Sequence, residues 1–158
     1  MKTKIAVFVS GGGTNLQAMI DAQGTVLVSG EIVLVVSNNA DAYALERAKK
    51  AGIPTAVVLK KECGSQEAFE EKLKEVLTEY GIEVIILAGF MTILTEKFTS
   101  CYPKRILNVH PSLIPSFCGE GFYGLRVHEE ALSILTENGE TAYVIGSIVA
   151  GEEKVVLR

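Results

Sequence analysis

The sequence predicts an α/β domain with a mostly parallel sheet and helices on both of its faces. Short apolar runs alternate along the chain with segments in which apolar residues recur at helical spacing. The runs are apolar at consecutive positions, which is typical of strands that are buried on both faces. Strands of this kind, separated by helices, form parallel sheets that are covered on both sides. No run reaches the roughly 18 apolar residues that a membrane span needs.

The elements follow one another without a visible repeat or linker. The predicted strands are Ile5–Val9, Ile32–Val36, Thr55–Leu59, Val84–Ala88 and Arg105–His110, with two more at Thr141–Val149 and Lys154–Leu157. The predicted helices are Asn15–Ala22, Asp41–Ala51, the segment from Ser65 to Gly81, a short piece at Thr95–Cys101, and Val127–Leu135. The glycine-rich and proline-rich residues 111–124 are expected to form a long surface loop.

Local signals support the boundaries of two helices in particular. Gly52 and Gly81 follow helical segments, and glycine is the usual residue just past a helix end. Ser65 is suited to cap the helix that it precedes. The acidic residues of that helix are predicted to form a solvated face together with two lysines. They are Glu67, Glu70, Glu71 and Glu75, with Lys72 and Lys74.

Composition excludes several classes of function. Fifteen Lys and Arg against nineteen Asp and Glu give a formal net charge of −4, which disfavours nucleic acid as a partner. Cys63, Cys101 and Cys118 are widely spaced and form no CxxC motif, so neither a disulfide framework nor a metal cluster is predicted. The first apolar run is too short for a signal peptide. These observations favour the cytoplasm, with no membrane association.

The loop after the first strand, Ser10-Gly11-Gly12-Gly13-Thr14-Asn15, is suited to bind a phosphate. Glycines let the backbone approach an anion closely, and the helix that follows offers free N–H groups. The loop matches neither the dinucleotide-binding fingerprint nor a P-loop. A plain tight turn is the alternative interpretation.

Two further candidate segments follow the fourth and fifth strands. The apolar residues Gly89–Leu94 could line a pocket for a flat aromatic ligand, although core packing is the simpler interpretation. Asn108 and His110 lie on one face of the fifth strand, because strand side chains alternate. An Asn can stabilise an oxyanion and a His can transfer a proton, so the pair suits acyl transfer to an amine. His128 could border the pocket, but capping or surface exposure is the simpler role.

Several motifs occur together and in order. They are Lys4-Ile5-Ala6-Val7, Ser10 to Ala18, Val36-Ser37-Asn38, Ala44-Leu45-Glu46-Arg47-Ala48, Leu87-Ala88-Gly89-Phe90-Met91 and Asn108 to Pro115. In these motifs the chain closely resembles phosphoribosylglycinamide formyltransferases, the folate-dependent transformylases of purine synthesis. The resemblance covers Met1 to about Leu132, and it implies a Rossmann-like formyltransferase fold.

The resemblance also implies a role for each matching position. Gly13, Thr14 and Asn15 would bind the phosphate of glycinamide ribonucleotide, and Gly89 and Pro111 would line its glycinamide end. Met91, Thr92, Ile93 and Leu94 would contact the pterin of the co-substrate, 10-formyltetrahydrofolate. Asn108 would also border the co-substrate and would stabilise the oxyanion, and His110 would be the general acid and base. The family mechanism implies no metal ion.

The chain departs from the family pattern in its charges and in its tail. Gln66 and Thr92 stand where the family often has Arg, which would weaken binding of the anionic tail of the folate. After Leu132 we expect no match, so the strand and the essential Asp that pairs with the catalytic His would be absent. Residues 134–151 instead resemble the end of phosphoribosylformylglycinamidine cyclo-ligase. The predicted division is therefore a formyltransferase-like domain over 1–132 and an atypical tail over 133–158.

The missing Asp leaves alternatives open. Candidate replacement carboxylates are Glu120, Glu129, Glu130, Glu137, Glu140, Glu152 and Glu153. Without one, the chain would be an impaired remnant that binds a nucleotide phosphate without turnover. A formyltransferase acting on initiator tRNA, or a formyl-folate hydrolase, is disfavoured because those proteins carry an extra domain. The oligomeric state is left open.

Overall fold

A computed structural model describes residues 2–109, 133–134 and 136–137 of the chain. The chain divides into two compact units, Met1–His110 and Pro111–Arg158. The first unit holds every strand of the described residues. The predicted domain boundary at Leu132 lies outside the described residues and stays a prediction.

The first unit is built on a five-stranded sheet, as the apolar runs predicted. Its strands are β1 (Thr3–Val9), β2 (Gly30–Ser37), β3 (Thr55–Val57), β4 (Val84–Ala88) and β5 (Ile106–Val109). Its helices are α1 (Thr14–Asp21), α2 (Tyr43–Lys50), α3 (Lys60–Cys63), α4 (Gln66–Glu79) and α5 (Glu96–Thr99). The strands pair in the order β3-β2-β1-β4-β5, and every pair is parallel.

Apolar residues of the sheet are buried on both faces, which confirms that helices cover it on two sides. On one face, Val7 and Val9 pack with Leu16 of α1 and with alanines of α2. On the other, Phe8 packs with Phe69 of α4 and Phe98 of α5. Each fully buried side chain of this size contributes about 1.5–3 kcal/mol. The two cores thus hold the strand ends in a fixed arrangement.

The structure corrects several predicted boundaries. Strand β3 ends at Val57 rather than Leu59, and the unpredicted α3 follows almost at once. β3 is an edge strand that pairs only with β2, and this pairing ends at Val57. The strand therefore ends before the apolar run does. Helix α2 is shorter than predicted because Ala42 already has an extended backbone. The cap at Ser65 is confirmed, since its Oγ accepts a hydrogen bond of 3.0 Å from Ala68 N.

Few residues of the second unit are described. Ser133, Ile134, Thr136 and Glu137 are helical, so helical backbone extends past the predicted end at Leu135. The predicted strands Thr141–Val149 and Lys154–Leu157 lie outside the described residues, as do Cys118 and His128. Among the helices that the structure does describe, none is long and apolar enough to cross a membrane.

Candidate active site

The order of the strands places a topological switch point between β1 and β4. From β1 the chain passes to β2 and β3 on one side, whereas β4 and β5 lie on the other. Loops that leave the carboxyl ends of β1 and β4 therefore diverge, and ligands of open parallel sheets bind at such a point. The two loops that the sequence singled out, residues 10–15 and 89–94, are those that follow β1 and β4.

Gly13 ends the loop after β1 and precedes α1. It has φ 73°, a conformation that side chains disfavour. A Cβ added there would lie 2.6 Å from the Cβ of Ala44, so the loop also packs too closely on α2 for any side chain. Gly11 and Gly12 have open space where a Cβ would point. Of the three glycines, the fold itself therefore requires Gly13.

The carbonyl groups of this loop are engaged by the neighbouring helices. Gly11 O accepts a hydrogen bond of 3.0 Å from Ala44 N, and Gly13 O accepts one of 2.9 Å from Gln17 N. Gly12 O accepts one of 2.8 Å from Nε of Arg47. The carbonyl oxygens, which carry partial negative charge, therefore face α1 and α2. The first N–H groups of a helix, by contrast, have no intrahelical partners.

The start of α1 is suited to an anion. Gly13 provides no side-chain cap, the first turn contains no acidic residue, and Thr14 and Asn15 are exposed. The helix dipole adds partial positive charge there. Arg47 brings a full positive charge to Gly12, a role that the sequence analysis missed. Only its place in the motif Ala44–Ala48 could have pointed to it.

The segment after β4 combines the two interpretations that the sequence left open. Phe90 lies against Phe8, with ring centroids 5.1 Å apart, and Leu94 packs against the same core. Met91 and Ile93 are 67% and 87% exposed. Alternate side chains therefore anchor the segment and present apolar surface to solvent, where a flat ligand could lie.

Three hydrogen bonds from other elements hold this segment. Met91 N donates to Ser10 Oγ at 2.8 Å, which joins the loops after β1 and β4. Asn38 Nδ2, beyond β2, donates to Thr92 Oγ1 at 2.6 Å. Gln66 Nε2, on α4, donates to Ile93 O at 3.1 Å. Gln66 and Thr92 thus both make contacts that shape the segment.

Glu70 corrects the prediction of a solvated acidic face on α4. Its exposed fraction is 3%, and its carboxylate accepts hydrogen bonds from Thr95 N at 2.7 Å and Thr95 Oγ1 at 2.6 Å. Gln66 Nε2 donates a third, at 2.7 Å. Burial raises the pKa of Glu70, but these hydrogen bonds outweigh it, so the pKa lies below its ordinary value. The carboxylate is a charged anchor inside the protein.

Asn108 lies near the carboxyl end of β5, paired in register with Leu87 of β4. It is exposed, and it shares a face of the strand with Ile106, which packs against the same core as Phe90 and Leu94. The structure therefore brings Asn108 to the face that carries the apolar segment. His110 and Pro111 lie outside the described residues, so their predicted roles stay predictions.

The described residues form no group of three or more His, Cys, Asp or Glu that could hold a metal ion. The candidate site that they do form consists of a helix start suited to an anion, an exposed apolar segment and an amide side chain, all at the carboxyl ends of the strands. Such a set can bind a phosphate and an apolar ring and can donate a hydrogen bond to a developing oxyanion.

Comparisons with known proteins identify the family of the chain. The family model described as formyl transferase matches residues 3–145. The chain is 41% identical to phosphoribosylglycinamide formyltransferase of Haemophilus influenzae over 149 residues, which are 94% of this chain and 68% of that protein. It is 44% identical to the same enzyme of Escherichia coli over 136 residues, which are 86% of this chain and 60% of that protein.

Among solved structures, phosphoribosylglycinamide formyltransferase from Brucella melitensis is similar, with a TM-score of 0.76 and 39% identity over 85% of this chain and 67% of that one. The chain thus spans about two thirds of the length of these relatives.

The family match passes Leu132 and reaches residue 145, so the expectation that nothing after Leu132 would match is wrong. The likeness of residues 134–151 to a cyclo-ligase stays a prediction. The sheet confirms the Rossmann-like formyltransferase fold. The chain therefore belongs to the formyl transferase family, and the relatives that identify it are phosphoribosylglycinamide formyltransferases.

Proposed function

We propose that the chain transfers a formyl group from 10-formyltetrahydrofolate to the amine of glycinamide ribonucleotide, in the cytoplasm and without nucleic acid or membrane. One observation supports the proposal: the uncapped start of α1, the exposed apolar segment after β4 and Asn108 all lie at the carboxyl ends of neighbouring strands. These features fit a phosphorylated substrate, a pterin and an oxyanion, in that order.

Each part of the site then has a ligand. The phosphate binds at Gly13, Thr14 and Asn15, and the glycinamide end lies against Gly89 and Pro111. The pterin contacts Met91, Thr92, Ile93 and Leu94. The exposed apolar side chains of Met91 and Ile93 support this assignment, because a bound ring would remove them from water.

The reaction needs no covalent enzyme intermediate. The substrate amine attacks the formyl carbon, and the carbonyl oxygen becomes an oxyanion that Asn108 stabilises. His110 takes the proton that the amine releases and gives a proton to N10 of the folate. The bond from the formyl carbon to N10 then breaks, so tetrahydrofolate leaves and the amine keeps the formyl group.

The test is a transfer assay that follows folate absorbance. Asn108→Ala should lower kcat about 100-fold, the usual loss when one oxyanion donor is removed. Leu107→Ala is the matched control, because Leu107 is exposed on the opposite face of the same strand. His110→Ala should abolish turnover. Equal rates for Asn108→Ala and Leu107→Ala would overturn the role of Asn108, and turnover by His110→Ala would overturn that of His110.

The alternative of a phosphate-binding remnant gains no support from the comparisons, since named formyltransferases align with 94% of the chain. The same preparation distinguishes the two functions. Glycinamide ribonucleotide that protects the wild-type fold against heating, without any formyl transfer, would contradict the proposed activity and support the remnant.

A further inference from the structure

Glu70 is a buried carboxylate that the proposed chemistry does not use. It lies on α4, and its hydrogen-bonding partners lie on its own helix and at Thr95. Thr95 is 25 residues away in sequence and directly follows the apolar segment Met91–Leu94. A carboxylate is rarely buried without a structural or functional reason, because removing its charge from water costs free energy.

The contacts of Glu70 fix the end of that segment. Both atoms that Thr95 can offer, its backbone N–H and its hydroxyl, donate to the carboxylate. The same carboxylate orients the amide of Gln66, which donates to the carbonyl oxygen of Ile93. The buried carboxylate therefore holds the backbone at two places, directly at Thr95 N and through Gln66 at Ile93 O. Hydrogen bonds to a charged group are stronger than those between neutral groups.

The segment has few other means of keeping its shape. Met91 and Ile93 point their side chains into solvent, so their own packing does not fix them. The contacts at Met91 N and Thr92 Oγ1 hold only the first half of the segment. The second half depends on the carboxylate and on Leu94, which packs against the core.

We propose that Glu70 is a positioning residue, which shapes the segment Met91–Leu94 for the formyl donor without touching the donor. This inference rests on the proposed function, because it takes that segment to be the donor-binding surface. It predicts that loss of the carboxylate weakens binding of the folate and leaves binding of the nucleotide unchanged. The loop after β1, where the phosphate is proposed to bind, is held by other contacts.

The first experiment measures both Michaelis constants in the full chain. Glu70→Ala should raise KM for 10-formyltetrahydrofolate about tenfold, because only part of the free energy of its three hydrogen bonds bears on the donor surface, and leave KM for glycinamide ribonucleotide unchanged. Glu70→Gln, which can rebuild the hydrogen bonds, should restore most of the affinity. Glu75→Ala is the matched control, because it makes the same change on the solvent side of α4.

A merely structural role would give a different result. It would lower the active fraction, and hence kcat, without separating the two Michaelis constants. If Glu70→Ala does not fold, Thr95→Ala and Thr95→Ser make the comparison, since only Ser keeps the hydroxyl. Unchanged donor KM in Glu70→Ala, or equal donor KM in the two Thr95 variants, would overturn the proposal.

A binding measurement separates this inference from the proposed function. Calorimetric titration with 5-formyltetrahydrofolate needs no turnover. Weaker binding by Glu70→Ala than by Glu75→Ala would support the positioning role even if the wild type transferred no formyl group. Equal binding by the two variants, with an active wild type, would overturn the positioning role and leave the transferase function standing.

Discussion

The loop after β1 (residues 10–15) and the segment after β4 (residues 89–94, followed by Thr95) follow neighbouring central strands, yet different contacts hold them. The first depends on small residues and on its own carbonyl groups: Gly13 allows close packing on Ala44, and the carbonyls of Gly11 and Gly12 accept from Ala44 N and Arg47 Nε. The second depends on side chains, above all on Glu70. The absence of a side chain shapes the first region, and a buried charge shapes the second.

This difference has a consequence for substitution. In the loop after β1, adding atoms is the damaging change, because space and backbone conformation are already constrained. In the segment after β4, removing atoms is the damaging change, because donors such as Thr95 N would lose their acceptor inside the protein.

Gly13→Ala should lower the free energy of unfolding by about 3 kcal/mol. The added Cβ would meet Ala44 at 2.6 Å, and the left-handed backbone at φ 73° adds its own cost. Urea denaturation measures the change. Gly12→Ala is the control, because its Cβ would meet open space, and a similar loss in both variants would contradict the packing argument.

Glu70→Ala should cost about 2 kcal/mol of stability by the same measurement. The substitution leaves the N–H and hydroxyl of the half-buried Thr95 without their acceptor. Glu75→Ala should change stability by less than about 0.5 kcal/mol, as surface substitutions usually do. A loss no greater than in that control would mean that water satisfies these groups in the folded protein.

The contribution of Glu70 should depend on pH. Because the pKa of Glu70 is lowered in the folded state, the ionised carboxylate adds stability that is fully present above the ordinary pKa of about 4.3. That stability is lost as the pH falls through the lower folded-state pKa. The difference in unfolding free energy between wild type and Glu70→Gln should therefore shrink from pH 7 to pH 3. A constant difference would contradict the direction of the shift.

Ser10→Ala should have the smallest effect, about 0.5 kcal/mol. It removes the hydrogen bond from Met91 N to Ser10 Oγ, which is open to solvent, so water can replace the acceptor. A double-mutant cycle with Gly13→Ala would sharpen the comparison. Additive effects are expected if the two loops are held independently, and a coupling above about 0.5 kcal/mol would show that they act as one unit.

Much of the fold and part of the site could be predicted from local patterns. Consecutive apolar residues in Ile5–Val9 and Val84–Ala88 indicated strands buried on both faces, because only a covered parallel sheet hides both sides of a strand. Ser65, Gly52 and Gly81 marked helix ends through backbone chemistry that acts within a few residues. The glycine-rich loop after β1 and Asn108 were found for the same reason, since their chemistry and their place at a strand end are both local.

The tertiary structure alone decided how these parts are joined. On α4, Glu70 and its acidic neighbours are alike in sequence, yet Glu70 is buried and Glu75 is exposed. The bond between Ser10 and Met91 joins residues 81 positions apart, and that between Arg47 and Gly12 joins residues 35 apart. Residue type and spacing determine the local backbone conformation and the burial of apolar residues. Which polar groups meet depends on how the helices pack on the sheet, and that packing is a property of the whole folded unit.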